Sequence, residues 1–402
     1  MRIELYTDAR RAEWDAFVAA NPEASFRHLS ALFAFEEEVS GARNRALVML
    51  DERGRLAGLL PLYEIEERTL RRLTVRTLTS GTTLPAGPLF DAALSAKQQR
   101  DALALLMAHV ERSARASGAE RVTIFYPNVV GERTSLEHFG YLPLRHFGYR
   151  EHNVVSLLLD LREPRDTLFA RLKYSCRKQV NKCDRDGVAF QEITGRDEWL
   201  GCYDLNVQTL GALAYTRRAM ELVWDDFVAP GHATVTATKL GGRTLSVIVT
   251  VGLRASCYNW IAFNSKTDFV NGAHNFALWQ TIELWQRRGA SFFEIGSMEF
   301  AVDKQKNIGS FKESFGGRPV YALGGTLELK PAKRALLDLV SVAVAAARAR
   351  GRAAGEKTAA ASAPAEKVAP GKGTTDKAAP GKVAPGGAAE VAADVPAGSG
   401  PR

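Results

Sequence analysis

Residues 257–296 read CYNWIAFNSKTDFVNGAHNFALWQTIELWQRRGASFFEIG, and the order of patterns within them decides the fold. CYNWIAF predicts a strand, NSKTDFVNGA a loop, HNFALWQTIELWQRR a helix stopped at Gly289, and SFFEIG a second strand. Upstream, ATVTATKL (233–240) and RTLSVIVTVGL (243–253) predict a hairpin turned by Gly241-Gly242. VAFQEI predicts the strand before it, with helical stretches over 165–185 and 196–228, and VYALGGTLEL supplies closing strand material. The first half follows the same grammar. RALVMLD (45–51) and RLAGLLPLYEI (55–65) predict a hairpin across Glu52-Arg53-Gly54, and a strand follows near Arg72–Leu78. Residues 96–117 place Ala102, Leu105, Leu106, Ala108 and Val110 at helical spacing, with Gly118 as the stop. VTIFYP is a further strand, and HNVVSLLLDL is apolar enough to be a central one. Each half thus gives helix, hairpin, strand, loop, helix and strand, the order of duplicated α/β units.

A chain of 402 residues is long for one core. The expected division is 1–160, 161–330, a helix over 331–350 that begins near Pro331, and a tail over 351–402. That tail is Ala, Pro, Gly and Lys with no aromatic residue. It cannot offset the entropy of ordering, so disorder is expected. The net charge of +8 favours anionic partners. Cys176, Cys183, Cys202 and Cys257 form no CxxC pair or metal spacing and read as reduced core thiols. The start MRIELYTDARRAEWD lacks the apolar stretch of a secretory signal, and no segment reaches the length of a membrane span. A cytoplasmic protein is expected, with contact at the inner face of the membrane left open.

Several motif classes are missing. GxGxxG, GxxxxGK[ST], GxSxG and HExxH do not occur, which disfavours nucleotide triphosphate, serine-triad and zinc-peptidase chemistry. No metal is expected. Three regions carry candidate chemistry instead. Over Phe169–Arg185, Arg171, Lys178, Lys182 and Arg185 fall on one helical face, with Arg177 and Lys173 to the other side. Like charges so placed invite an anionic ligand as well as a solvated face. At the junction before the 274–288 helix, Asn271, Gly272, His274 and Asn275 stand where unpaired backbone N–H groups can meet an anion. In GSMEFAVDKQKNIGSFKESFGG, Glu299 and Asp303 can accept a proton from an attacking amine, and Lys312 can stabilise a tetrahedral oxyanion.

Two of these blocks resemble one family. LKYSCRKQVNKCDRDGVAF (172–190) and ALWQTIELWQRRGASFFEIGS with IGSFKESFGG (277–297, 308–317) are similar to the opening and closing signatures of the second domain of FemAB-type transferases. NPEASFRHLSALFAF, GLLPLYEI and LEHFGY agree more loosely. The resemblance implies an α/β fold of two tandem acetyltransferase-like (GNAT) domains with mixed sheets and the main site in the second. It implies that Lys312 lies near the transferred acyl group and that Arg177 contacts phosphates of the acceptor. With Lys178 and Lys182 as further phosphate contacts, the expected substrate-binding set also includes Phe311, Phe315, Tyr258, Asn271 and His274. The activity implied is N-acyl transfer from an activated donor, acyl-CoA, to an amine of an envelope polysaccharide or its precursor. Aminoacyl-tRNA as donor to a peptidoglycan precursor is the alternative, and a non-catalytic envelope scaffold a second. DNA is not an expected partner. The chain departs from the family at Phe33 and Glu36–Glu38, where a tryptophan and a lysine are common, and has no Q/RxxGxG/A loop over 264–274.

Overall fold

The computed structural model describes residues 1–69, 73–126, 143–298, 303–336 and 339. The strands of the first half are β1 (Arg2–Leu5), β2 (Arg43–Asn44), β3 (Leu47–Leu50), β4 (Leu56–Leu60), β5 (Tyr63–Thr69), β6 (Leu73–Thr79), β7 (Leu89–Phe90), β8 (Arg121–Tyr126) and β9 (Arg150–Asp160). Those of the second are β10 (Ala189–Ile193), β11 (Ala233–Leu240), β12 (Arg243–Leu253), β13 (Ser256–Asn264), β14 (Phe292–Met298) and β15 (Arg318–Glu328). A small sheet runs β1-β3-β4-β7, and a long one runs β10-β11-β12-β13-β14-β9-β15-β8-β6-β5-β2.

The long sheet contains one arrangement twice. β12 is antiparallel to β13, which is parallel to β14, and the helix Ala273–Arg287 joins the parallel pair. β5 is likewise antiparallel to β6, which is parallel to β8, and the helix Ala96–Ala116 joins that pair. The outer neighbour of each parallel pair comes from the other half. β9 pairs with β14, β15 pairs with β8, and β9 and β15 pair with each other at the centre. The apolar HNVVSLLLDL run is this central strand β9, as its composition predicts.

Local sequence accounts for the main elements. Ser95 and Gln98 form a reciprocal capping box at the start of Ala96–Ala116. Its buried face is Ala102, Leu103, Leu106, Met107, Val110 and Ala114, so Leu103 and Met107 replace the expected Leu105 and Ala108. β11 and β12 alternate between two cores: Val235, Ala237, Val247, Val249 and Val251 face one, while Leu245 and Ile248 face the other. The first of these cores joins the halves, because Phe35 packs edge-on to Trp260 at 4.8 Å and reaches Phe227 at 6.5 Å. Full burial of a side chain such as Phe35 stabilises by roughly 1.5–3 kcal/mol.

Three expectations need correction. The 55–65 run is not one strand. β4 ends at Leu60 and β5 begins at Tyr63 in the other sheet, broken at Pro61, which has no N–H for a ladder. The helix over 165–185 is two helices, Arg165–Arg171 and Tyr174–Arg185, because Leu172 and Lys173 leave helical geometry with ψ of 139° and 146°. Arg171 therefore does not share a helical face with Lys178 and Lys182, and instead pairs with Glu163 at 2.6 Å. The 196–228 region is likewise divided into several short helices. All four cysteines are buried and free. Residues 331–336 are helical, while the remainder of the expected 331–350 helix apart from residue 339, the tail and LEHFGY lie outside the described residues. No helix among the described residues is long and apolar enough to cross a membrane.

Candidate functional site

The site grows from the place where β13 and β14 part. Their parallel ladder joins only Ser256–Tyr258 to Phe292–Glu294. Beyond it β13 continues on β12 and β14 continues on β9, so an opening separates the two strand ends. A register shift between Glu294 and Gly296 marks a bulge in β14, and Gly296 has φ of +116°, a conformation that side chains disfavour.

Lys312 reaches this bulge from the last turn of the helix Asp303–Glu313. Its Nζ donates to the Ser297 carbonyl at 2.6 Å. A Cβ placed on Gly296 would lie 3.0 Å from Lys312 Nζ and 3.5 Å from Tyr258 Oη, so both polar groups converge on a spot that only a glycine leaves open. Tyr258 is buried at the last rung of the ladder. Burial, and then the Glu294 carboxylate, push its pKa up to about 12, against the opposing pull of Arg27. The phenol keeps its proton at neutral pH and so can donate a hydrogen bond.

Arg27 comes from the first half, on the one-turn helix Phe26–His28. Its Nη2 donates to Glu294 Oε2 at 2.8 Å, and both side chains are under a tenth exposed. The guanidinium carbon lies 4.5 Å from the Phe26 ring centroid and 4.9 Å from that of Tyr258, and the two rings stack at 5.6 Å. Arg27 Nη1 is buried with no hydrogen-bond partner.

The remaining expected residues divide into three groups. Phe311 stacks on the His274 ring at 4.9 Å and meets the buried Phe315 edge-on at 5.3 Å. His274 Nδ1 lies 3.0 Å from Ser246 Oγ, and burial pushes its pKa down to about 4, which leaves the ring neutral at pH 7. The basic helix forms a second group. Arg177 Nη1 donates to the carbonyls of Ala170 and Leu172, tying this helix to the one before it. Lys182 pairs with Asp186 at 2.6 Å, Lys178 is exposed, and exposed Asn271 accepts from Gln179 at 3.3 Å. The third group, Glu299 and the side chain of Asp303, lies outside the described residues.

Sequence reasoning missed Arg27, Glu294 and Gly296. A carboxylate inside the apolar run SFFEIG was a usable signal for Glu294. Arg27 carried none, since its partner lies 267 residues away.

Searches by structure return related folds. FemX superposes with a TM-score of 0.60 at 14% identity, over 84% of this chain and 99% of that one. The fold is that of FemX. The C-terminal domain of a putative lysylphosphatidylglycerol synthetase from Agrobacterium fabrum superposes on this chain with a TM-score of 0.51 at 14% identity, over 83% of this chain and 96% of that one. L-PGS from Bacillus licheniformis has a TM-score of 0.51 and 12% identity, over 81% and 93%. No protein-family model and no curated protein matches the sequence. The architecture is therefore α/β with mixed sheets, and its fold is similar to that of FemX.

Proposed function

We propose that the protein is an N-acyltransferase whose acyl-transfer step takes place in the opening between β13 and β14. The observation that carries this reading is the convergence of Lys312 Nζ and Tyr258 Oη on Gly296 at the point where the strands part. In this reading an acceptor amine attacks the carbonyl of an activated donor. Lys312 stabilises the oxyanion of the tetrahedral intermediate, and the protonated phenol of Tyr258 donates to the same oxygen or to the leaving group. Collapse expels the donor's thiolate or hydroxyl, and the amine gives up its proton. Glu299 or Asp303 is proposed as the acceptor of that proton. No covalent intermediate on the protein is needed.

The proposed donor is acyl-CoA and the proposed acceptor an amine on an envelope polysaccharide or its precursor, reached at the inner face of the membrane. Arg177, Lys178 and Lys182 are proposed phosphate contacts, Arg177 after release from the two carbonyls it now holds. The proposed units are 1–160 and 161–330, exchanging β9 and β15. A second reading, aminoacyl-tRNA as donor, is favoured by the FemX and lysylphosphatidylglycerol synthetase folds and by the missing pyrophosphate loop over 264–274.

Calorimetric titration of the full chain with acetyl-CoA and with charged tRNA separates the two. Binding of acetyl-CoA supports the first reading. Binding of tRNA alone, collapsing with added salt as counterion release requires, supports the second. Full activity of Lys312→Ala on a verified substrate would remove the site assignment from both.

A further inference from the structure

We propose that Arg27 is a substrate-binding residue which the first half supplies to the transfer site. Its Nη1 donates to an anionic oxygen, of a carboxylate or a phosphate, on the molecule occupying the opening between β13 and β14. This inference rests on the reading of that opening as the site of transfer.

Position is the first argument. Arg27 bonds Glu294 and lies over the ring of Tyr258, and Tyr258 opposite Glu294 is the last rung before the strands separate. The guanidinium therefore stands at the vertex of the opening, on the rung next to the Gly296 bulge and Lys312.

The second argument is an unfinished hydrogen-bond inventory. A guanidinium has five donors in a fixed fork, and here one arm is spent on a buried carboxylate while Nη1 is buried with no acceptor. A buried donor left unpaired carries its full desolvation penalty, whereas a charged donor that meets an anionic oxygen forms one of the stronger protein hydrogen bonds. If Arg27 served only to join the halves, its pair with Glu294 and its contacts with Phe26 and Tyr258 would suffice, and the second arm would have no purpose in a buried site. Glu294 holds Nη2 and the two rings hold the guanidinium, so Nη1 is pre-oriented before a ligand arrives.

The test needs no turnover. Thermal unfolding of the full chain is followed while sodium acetate, and separately inorganic phosphate, is titrated against sodium chloride at matched ionic strength. The expected result is a saturable rise in Tm, with acetate if the ligand group is a carboxylate and with phosphate if it is a phosphate. Arg27→Gln alone would strand a buried carboxylate, so the variant is the double substitution Arg27→Gln with Glu294→Gln. Arg27→Lys, which keeps the ion pair but lacks the second nitrogen, is measured beside it. Both should bind the stabilising anion about tenfold more weakly or worse. No saturable stabilisation of the natural chain by either anion would overturn the proposal, as would unchanged affinity in Arg27→Lys. Lys312→Met turnover tests the transfer reading separately, so failure of one does not mimic failure of the other.

Discussion

The two parallel strand pairs of the long sheet, β6 with β8 and β13 with β14, begin alike. Each is joined over three rungs, Thr77–Thr79 with Arg121–Thr123 in one and Ser256–Tyr258 with Phe292–Glu294 in the other. Beyond the third rung they differ. In the first half the chain leaving β6 turns back into the gap: Ser80 Oγ accepts from the Phe125 N–H at 2.8 Å and the Ser80 carbonyl from the Ala86 N–H at 2.9 Å. The turn is tight enough that a Cβ on Gly81 would lie 2.3 Å from Pro85 Cα. Beneath it the buried Glu36 carboxylate accepts from Thr83 Oγ1 at 2.6 Å, from the Thr83 and Leu84 N–H groups at 3.0 and 3.1 Å, and from Thr82 Oγ1. In the second half the corresponding space is bordered by Lys312, Tyr258 and Gly296, and by an arginine with a spare donor. One notch satisfies its polar groups internally and serves as scaffold. In the other, Lys312 bonds the Ser297 carbonyl while Arg27 Nη1 has no hydrogen-bond partner, and this notch is the proposed ligand site.

Four substitutions and one pH titration can break this contrast, the largest effect first. Lys312→Ala should lower turnover by roughly 10²–10³-fold, the scale of losing one oxyanion donor, with an unchanged unfolding curve. An equally active variant would leave the second notch without a role. Glu36→Ala strands several buried donors and should cost about 2–3 kcal/mol of stability in denaturant unfolding, while the folded fraction keeps its turnover. The paired glycines sharpen the comparison further. Gly81→Ala should cost about 1–3 kcal/mol through overpacking against backbone and spare turnover, whereas Gly296→Ala displaces Lys312 and should reduce turnover about tenfold. The last is a pH effect in the first half. His28 accepts from the Ser25 N–H through Nδ1, lies 3.2 Å from the Gly87 carbonyl through Nε2, and is pushed down to about 4 by burial. The unfolded chain takes up this proton first as the pH falls. Stability is therefore full above about pH 6.5 and declines toward pH 4 by about 1 kcal/mol per pH unit. His274, pushed down to about 4 as well, contributes a similar slope, so His28→Gln should reduce the dependence by about half in urea melts at stepped pH.

Much of the fold was legible because its strands carry local signals. β11 and β12 occupy the predicted residues, since a Gly-Gly turn between β-branched runs leaves few alternatives. β9 was central because eleven residues with so few charges at their core need cover on both sides. The sheet switch at Pro61 and the helix break at Leu172 were not legible, because hydrophobic pattern continued across both. The exchange of β9 and β15 was also out of reach, since nothing local records which half a strand joins. Of the residues expected at a site, Lys312 and Tyr258 meet at the Gly296 bulge, while Phe311 packs against His274 and Phe315. Arg27 could not be found, because an ion pair across 267 residues leaves no periodicity.

The central claim is that ligand enters the second notch and not the first. Hydrogen–deuterium exchange of the full chain, with and without whichever donor binds in the titrations, tests it most directly. Protection concentrated in Trp260–Asn264, Ile295–Met298 and the Lys312 helix is the expected result. Protection concentrated in residues 79–86 and 124–126, with the β13 and β14 ends unchanged, would contradict it.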